Sequence, residues 1–220
     1  MQVKLVRFTP EPDKLCGEAA AMCYASDTPE RSLRGALSGG HLSVAEHATF
    51  TFMIEDVSRA LLAQLTRHRI ASFSVQSQRY VSMADCFKFV IPPSIKALGD
   101  YAVNEYKYQM RRMHEWYCEW QEKLGGSSEI ANQDARYVLP NATCTTLTLT
   151  MNARELMHFF ELRTCRRAQW EIREMADRML MECQIVAPEL FKRAGCACMQ
   201  GKPCPEGRRS CGQPRKGVRA

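Results

Sequence analysis

The sequence predicts an α+β fold, a mostly antiparallel sheet flanked by helices in one domain with a long central helix. Three observations predict it. Phe50, Phe52 and Ile54 alternate with Thr49 and Thr51, and Leu147, Leu149 and Met151 alternate with Thr146, Thr148 and Thr150, the period of half-buried strands. Val103, Tyr106, Met110, Met113, Tyr117, Trp120 and Leu124 recur at steps of three and four, a heptad stripe along one helix over residues 101–124. The strands also lack the regular strand–helix–strand rhythm of a parallel sheet.

The elements follow in order. Residues 1–8 are strand-like and are stopped by Pro10 and Pro12. Asp13 is placed to cap a helix running to Cys23, and a second helix spans 30–37 before Gly39 and Gly40. Behind the strand 49–54, Val57, Leu61, Leu65 and His68 recur at helical spacing. Residues 87–91 read as a short strand ended by Pro92 and Pro93. Gly125 and Gly126 terminate the long helix, and 132–138 is a short helix before Pro140. Helices over 153–163 and 170–191 close the body, the second with Ile172, Ala176, Met179, Cys183 and Val186 on one face.

At 220 residues, with 45% hydrophobic and 25% charged content, the chain buries a full core and fits a soluble globular protein. No apolar run reaches membrane-spanning length, and the N-terminus lacks an apolar signal region, so the expected location is cytoplasmic. Eleven cysteines without a signal region point to free thiols or a metal site rather than a disulfide framework. From Lys192 onward, eight Lys or Arg face the single acid Glu206, so the tail carries +7 of the net +6 and the first 191 residues carry −1. The division is a domain over 1–191 and a basic, Cys-rich tail over 192–220. Basicity belongs to the tail, which makes nucleic acid an unlikely partner of the body.

Residues 67–80, RHRIASFSVQSQRY, combine Arg67, His68, Arg69 and Arg79 with three serines, a donor set suited to phosphate or carboxylate. Arg163 shares a helix face with Leu156, Phe159 and Phe160. A guanidinium there either snorkels, pairs with a carboxylate, or meets an anionic ligand. His41 and His47 flank Glu46 without metal-site spacing, so no metal is expected in the active site. In the tail, Cys196, Cys198, Cys204 and Cys211 could supply four thiolates to zinc, or stand as free thiols or a disulfide.

Arg67–His68–Arg69 with Ser72, Ser77 and Arg79, then GHLSVAEHATFTF (40–52) and Gln64 upstream, and ARYVLP (135–140), NARELMHFFELR (152–163) and AQWEIRE (168–174) downstream, stand together in an order that resembles the flavin-dependent thymidylate synthase family. The resemblance implies a homotetramer with active sites shared between subunits, methylating dUMP to dTMP with FAD, NADPH and methylenetetrahydrofolate and needing no protein nucleophile. By resemblance, Arg67, His68, Arg69, Ser43, Asn152, Ala153, Arg154 and His158 fall at FAD-contacting positions. Gln64, Arg67, Ser77, Gln78, Arg79, Arg136 and Arg163 fall at dUMP-contacting positions, and Arg163 matches the arginine that favours uracil N3 ionisation. Two further cofactor positions depart from the pattern. Ser74–Val75 stand where members often carry Asn-Glu, and Arg167 stands where many carry a histidine near the flavin. Two other readings compete: a nucleic-acid-binding protein using the tail, and a flavoprotein that kept the fold but lost methyl transfer.

Overall fold

Side-chain alternation builds the sheet of the computed structural model, which describes residues 1–85 and 87–217. Strands β1 (Gln2–Phe8), β2 (Thr49–Ser58), β3 (Ser72–Val75) and β4 (Cys144–Asn152) form one antiparallel sheet in the order β1-β2-β4-β3. Along β4, Thr145, Leu147, Leu149 and Met151 are buried and every second residue is partly exposed, as the period-2 pattern requires. The helices are α1 (Pro12–Cys23), α2 (Pro29–Ser38), α3 (Arg59–Leu65), α4 (Pro93–Lys96), α5 (Asp100–Lys123), α6 (Glu129–Ala135), α7 (Ala153–Arg163), α8 (Trp170–Val186) and α9 (Pro188–Phe191). Among the described residues, no helix is long and apolar enough to cross a membrane. The α+β class is as the sequence predicts.

The chain contains two compact units. One comprises Met1, Glu55–Gln64 and Ser74–Leu147; the other comprises Gln2–Ile54, Leu65–Phe73 and the described residues from Thr148 onward. The tail is therefore part of the second unit, while its residues 218–220 lie outside the described residues.

In the second unit Phe50, Phe160 and Phe191 pack edge to face, with centroids 5.4 and 5.9 Å apart. Leu156, Phe159, Ile172, Met175 and Met179 are also fully buried there. In the first unit a polar network holds the loop after β3. Tyr117 Oη accepts from Met83 N (3.2 Å) and donates to Asn132 Oδ1 (3.4 Å), while Asn132 Nδ2 donates to Arg79 O (3.1 Å). Gln121 Nε2 donates to the same Asn132 oxygen and to Ser82 Oγ at 3.0 Å.

Several boundaries differ from the sequence reading, each for a physical reason. Asp13 does not cap its own helix. Glu11 occupies that position in a left-handed conformation (φ 44°), and the Asp13 carboxylate instead accepts from Glu189 N and Leu190 N, both at 2.9 Å, capping α9. Val57 remains in β2 and His68 follows a turn, so helical spacing from 57 to 68 is real only within α3. Residues 87–91 make a single bridge, Phe89 to Thr143, rather than a strand. The segment 132–138 is α6 followed by a 3₁₀ turn, because Ser128 starts the helix early by accepting from Ala131 N at 3.1 Å. The helix read over 170–191 breaks at Ala187, where Pro188 removes an N–H and disfavours helical geometry in its neighbour. The stripe on α5 buries Met110 and Tyr117, but Trp120 and Leu124 are 48% and 43% exposed.

Replacing Asn132 with Ala strands the Tyr117 hydroxyl, the Gln121 amide and the Arg79 carbonyl together. Unfolding in urea should show a loss of about 2–3 kcal/mol; an unchanged midpoint would show that the network does not hold the loop.

Candidate functional site

Helix α7 begins where Asn152 accepts from Glu155 N at 2.9 Å. Asn152 and Glu155 stand three apart, the spacing of a capping box, in which the glutamate would reach back to the cap. Here the Glu155 side chain turns inward instead. Its Oε1 lies 3.1 Å from His68 Nδ1, and both side chains are buried. On the other side of the ring, Arg163 Nε donates to His68 Nε2 at 3.0 Å.

Donor logic fixes the imidazole. A guanidinium has no acceptor, so His68 Nε2 must be unprotonated and Nδ1 must carry the hydrogen, donated to Glu155. The electrostatics agree. Burial lowers the His68 pKa most, the hydrogen bond and charge of Glu155 push it up, and Arg163 and His158 push it down, for a net lowering. The ring is therefore neutral. Burial and neighbouring Arg67 also lower the Arg163 pKa, yet a guanidinium so shifted remains charged. His68, Glu155 and His158 place potential ligand atoms within 4.8 Å of one another. Both nitrogens of His68 are already spent on Glu155 and Arg163, which leaves this ring no lone pair for a metal.

The other expected cofactor residues lie in the second unit with this line, except Val75, which lies in the first. Arg67 and Arg69 are exposed on either side of buried His68. Asn152, Arg154, Glu155 and His158 line a cavity of about 940 Å³ in the second unit. Leu37, Leu42 and Ile70 supply apolar wall, and Arg34, Lys192, Arg193 and Lys202 supply positive charge. Arg154 pairs with Glu46, in the 3₁₀ segment Leu42–His47 that also carries exposed Ser43. Ala153 is fully buried and its N–H donates to Ala48 O at 2.8 Å, so its side chain is core. Val75 is half-buried in β3. Arg167 pairs with Glu206 (3.3 Å) and donates to Arg209 O, which engages it with the tail.

The expected nucleotide residues, apart from Arg67 and Arg163, lie in the first unit. Ser77 Oγ accepts from Arg79 N (3.1 Å) and Tyr80 N (3.4 Å), forming a turn. Arg79 pairs with Glu129 and lies 5.5 Å from the Tyr80 ring centroid. Gln64 Nε2 donates back to Ala60 O at 3.2 Å, and Arg136 Nε donates to Gln133 O at 3.1 Å. The Gln78 amide nitrogen is buried without a hydrogen-bond partner. Arg59 was not singled out by the sequence. Its Nη2 donates to Gln76 O at 2.9 Å, its Nε is buried without a partner, and burial and Arg136 together lower its pKa. A desolvated guanidinium with an unpartnered N–H, near enough to Arg136 to feel its charge, is a donor suited to an anion.

The four tail thiols do not converge. Among the described residues, the metal-capable groups of three or more do not include them. Cys204 and Cys211 are exposed, whereas Cys196 is buried within the second unit. The tail cation Arg215 is fixed to Asp177 through two bonds of 3.0 and 2.9 Å and so is not a loose arm for polyanions.

Residues 4–189 match the family model described as thymidylate synthase complementing protein. The flavin-dependent thymidylate synthase of Clostridium tetani is 43% identical, covering 97% of this chain and 94% of its own length. Its counterpart in Nitratidesulfovibrio vulgaris is 45% identical over 96% of this chain and 94% of its own. That of Pyrococcus horikoshii is 41% identical over 94% and 90%. On the match of the family model and on identities of this size along nearly the whole chain, the protein belongs to the flavin-dependent thymidylate synthase family.

Proposed function

We propose that the protein methylates dUMP to dTMP, with FAD as resident cofactor, NADPH as reductant and methylenetetrahydrofolate as carbon donor, in a homotetramer. The observation that carries the reading is the line Glu155–His68–Arg163, which fixes a guanidinium through a neutral buried imidazole. The cavity fits the cofactor: apolar Leu37, Leu42 and Ile70 suit an aromatic ring system, and Arg154, Lys192, Arg193 and Lys202 suit a diphosphate. When bound, the flavin would supply the hydride for the uracil ring.

The protein's own part is orientation and charge. Arg163, held at Nε, sets a positive charge against the pyrimidine and favours the anion left when N3 loses its proton. Arg59, Arg136 and Gln78 supply donors for the nucleotide phosphate in an active site shared between subunits. Ser77 shapes the turn that carries Gln78 and Arg79, and with its oxygen accepting two backbone N–H bonds it needs no activating base. Exposed Tyr101, Tyr108 and Trp116 on α5 supply apolar surface for contact between copies.

The reading is tested by anaerobic reduction of the FAD-loaded protein with NADPH, then addition of dUMP and methylenetetrahydrofolate. Flavin absorbance should bleach and return as dTMP forms; reduced flavin that persists without dTMP sinks the proposal. Arg163→Ala should still bind flavin and lose methylation by about 10²-fold or more. Arg59→Met should raise KM for dUMP about tenfold with a smaller change in kcat; an unchanged KM removes Arg59 from the phosphate site.

A pH dependence follows from His68. Protonation at Nε2 would expel Arg163, so kcat should fall as pH drops through the depressed His68 pKa. The charges facing the ring are Glu155, His158 and Arg163, with Arg67 acting on Arg163. Glu155 raises the His68 pKa, so Glu155→Gln should move the acid limb to lower pH, by about half a unit or more. A purely structural Glu155 would cost stability and leave the limb in place.

A further inference from the structure

We propose that Cys196 and Cys198 form a reversible thiol–disulfide exchange site for low-molecular-weight disulfides, with Cys198 attacking and Cys196 resolving. The two sulfurs lie 3.5 Å apart in an arrangement imposed by the backbone around them. Gly195, at φ +126°, turns the chain tightly over Met199, where an added Cβ would fall 2.9 Å from the Met199 methyl. Cys196 N donates to the fully buried Thr164 Oγ1 at 2.8 Å, which fixes this thiol at the end of α7. Arg215 closes over the pair. Its N–H donates to Cys198 Sγ at 3.3 Å, and its guanidinium is clamped to Asp177 and to Thr164 O.

The two thiols are chemically unequal. Cys196 is buried, and burial pushes its pKa up. Cys198 is only half-buried; burial also raises its pKa, but the Arg215 N–H and the Cys196 thiol outweigh this and leave it lowered. An accessible thiol of lowered pKa beside a buried partner within reach is the arrangement that two-step exchange requires. In the first step the Cys198 thiolate attacks one sulfur of the disulfide, forming a mixed disulfide and expelling one thiolate. In the second, Cys196 gives its proton to the departing side, and its sulfur attacks that of Cys198, releasing the second thiol. The protein loses two electrons and two protons, and the small disulfide becomes two thiols. Closure requires the sulfurs to approach to about 2.05 Å, which draws Cys198 from the Arg215 N–H.

The test uses the full chain and oxidised glutathione. Trypsin with cyanogen bromide releases residues 194–199, which contain these two cysteines and no other. After treatment this fragment should lack two hydrogens by mass, and dithiothreitol should restore them. Cys196→Ser should stop at a glutathione adduct on Cys198, whereas Cys198→Ser should leave Cys196 unmodified. Before oxidation, Cys198 should alkylate about tenfold faster than Cys196. A fragment that keeps both thiols, or an adduct on Cys198 in the unmutated chain that never resolves, overturns the proposal.

Discussion

A neutral imidazole between a carboxylate and a guanidinium is the constraint on which the second unit depends. Glu155 is buried in a helix whose neighbours are Leu156, Phe159 and Phe160, where a lone charge is costly. It is tolerated because His68 brings it a donor. His68 in turn sits in apolar surroundings, with the Phe159 ring 5.0 Å from its own, and stays uncharged because desolvation outweighs the pull of the carboxylate. Only a neutral ring can accept from Arg163. The buried carboxylate therefore sets the tautomer, and the tautomer sets the guanidinium. The order of dependence runs from packing to charge.

The first unit solves a related problem with different parts. Its loop after β3 carries Ser77, Gln78 and Arg79, and none of these reaches a hydrophobic anchor of its own. Tyr117 and Asn132, on two helices, hold the loop by its main chain instead. That leaves the Gln78 amide nitrogen without a protein partner. Burial first, and the charge of Arg136 after it, lower the Arg59 pKa, and a bound anion would offset both. The unpartnered nitrogens of Arg59 and Gln78 supply the matching donors.

How much of this was legible in the sequence follows from the range of each interaction. β4, α5 and α7 were read nearly to their ends because their periodicities are local. The cationic stretch 67–80 and Arg163 stood out as charges where apolar residues dominate. Glu155 did not, since three residues after Asn152 it passes for the second half of a capping box; only the position of His68, 87 residues away, reveals its other use. Arg59 was hidden in the run from Val57 to Leu65, where its register is unremarkable. Asp13 was seen as a cap but given to the wrong helix, because its partners, Glu189 and Leu190, are 176 and 177 positions distant. The tail misled in the opposite direction. Four cysteines in sequence suggested a tetrahedral shell, free thiols or a disulfide, and folding sets buried Cys196 and half-buried Cys198 together and leaves Cys204 and Cys211 exposed.

The departures from the family pattern acquire a physical sense once the tail is seen as part of the second unit. Arg167, which stands where many members of the family carry a histidine, pairs with Glu206 and donates to the Arg209 carbonyl. Arg215 reaches the other side of the same corner and bonds Thr164 O, one residue beyond Arg163. A histidine at position 167 would hold the Glu206 segment less firmly, because it lacks the forked donors that serve a carboxylate and a carbonyl together. The arginine at 167 thus supplies a contact to the tail, and the Arg167 and Arg215 contacts both fall on the segment that follows α7. In this chain the tail braces, through Thr164, the helix that carries Glu155, His158 and Arg163.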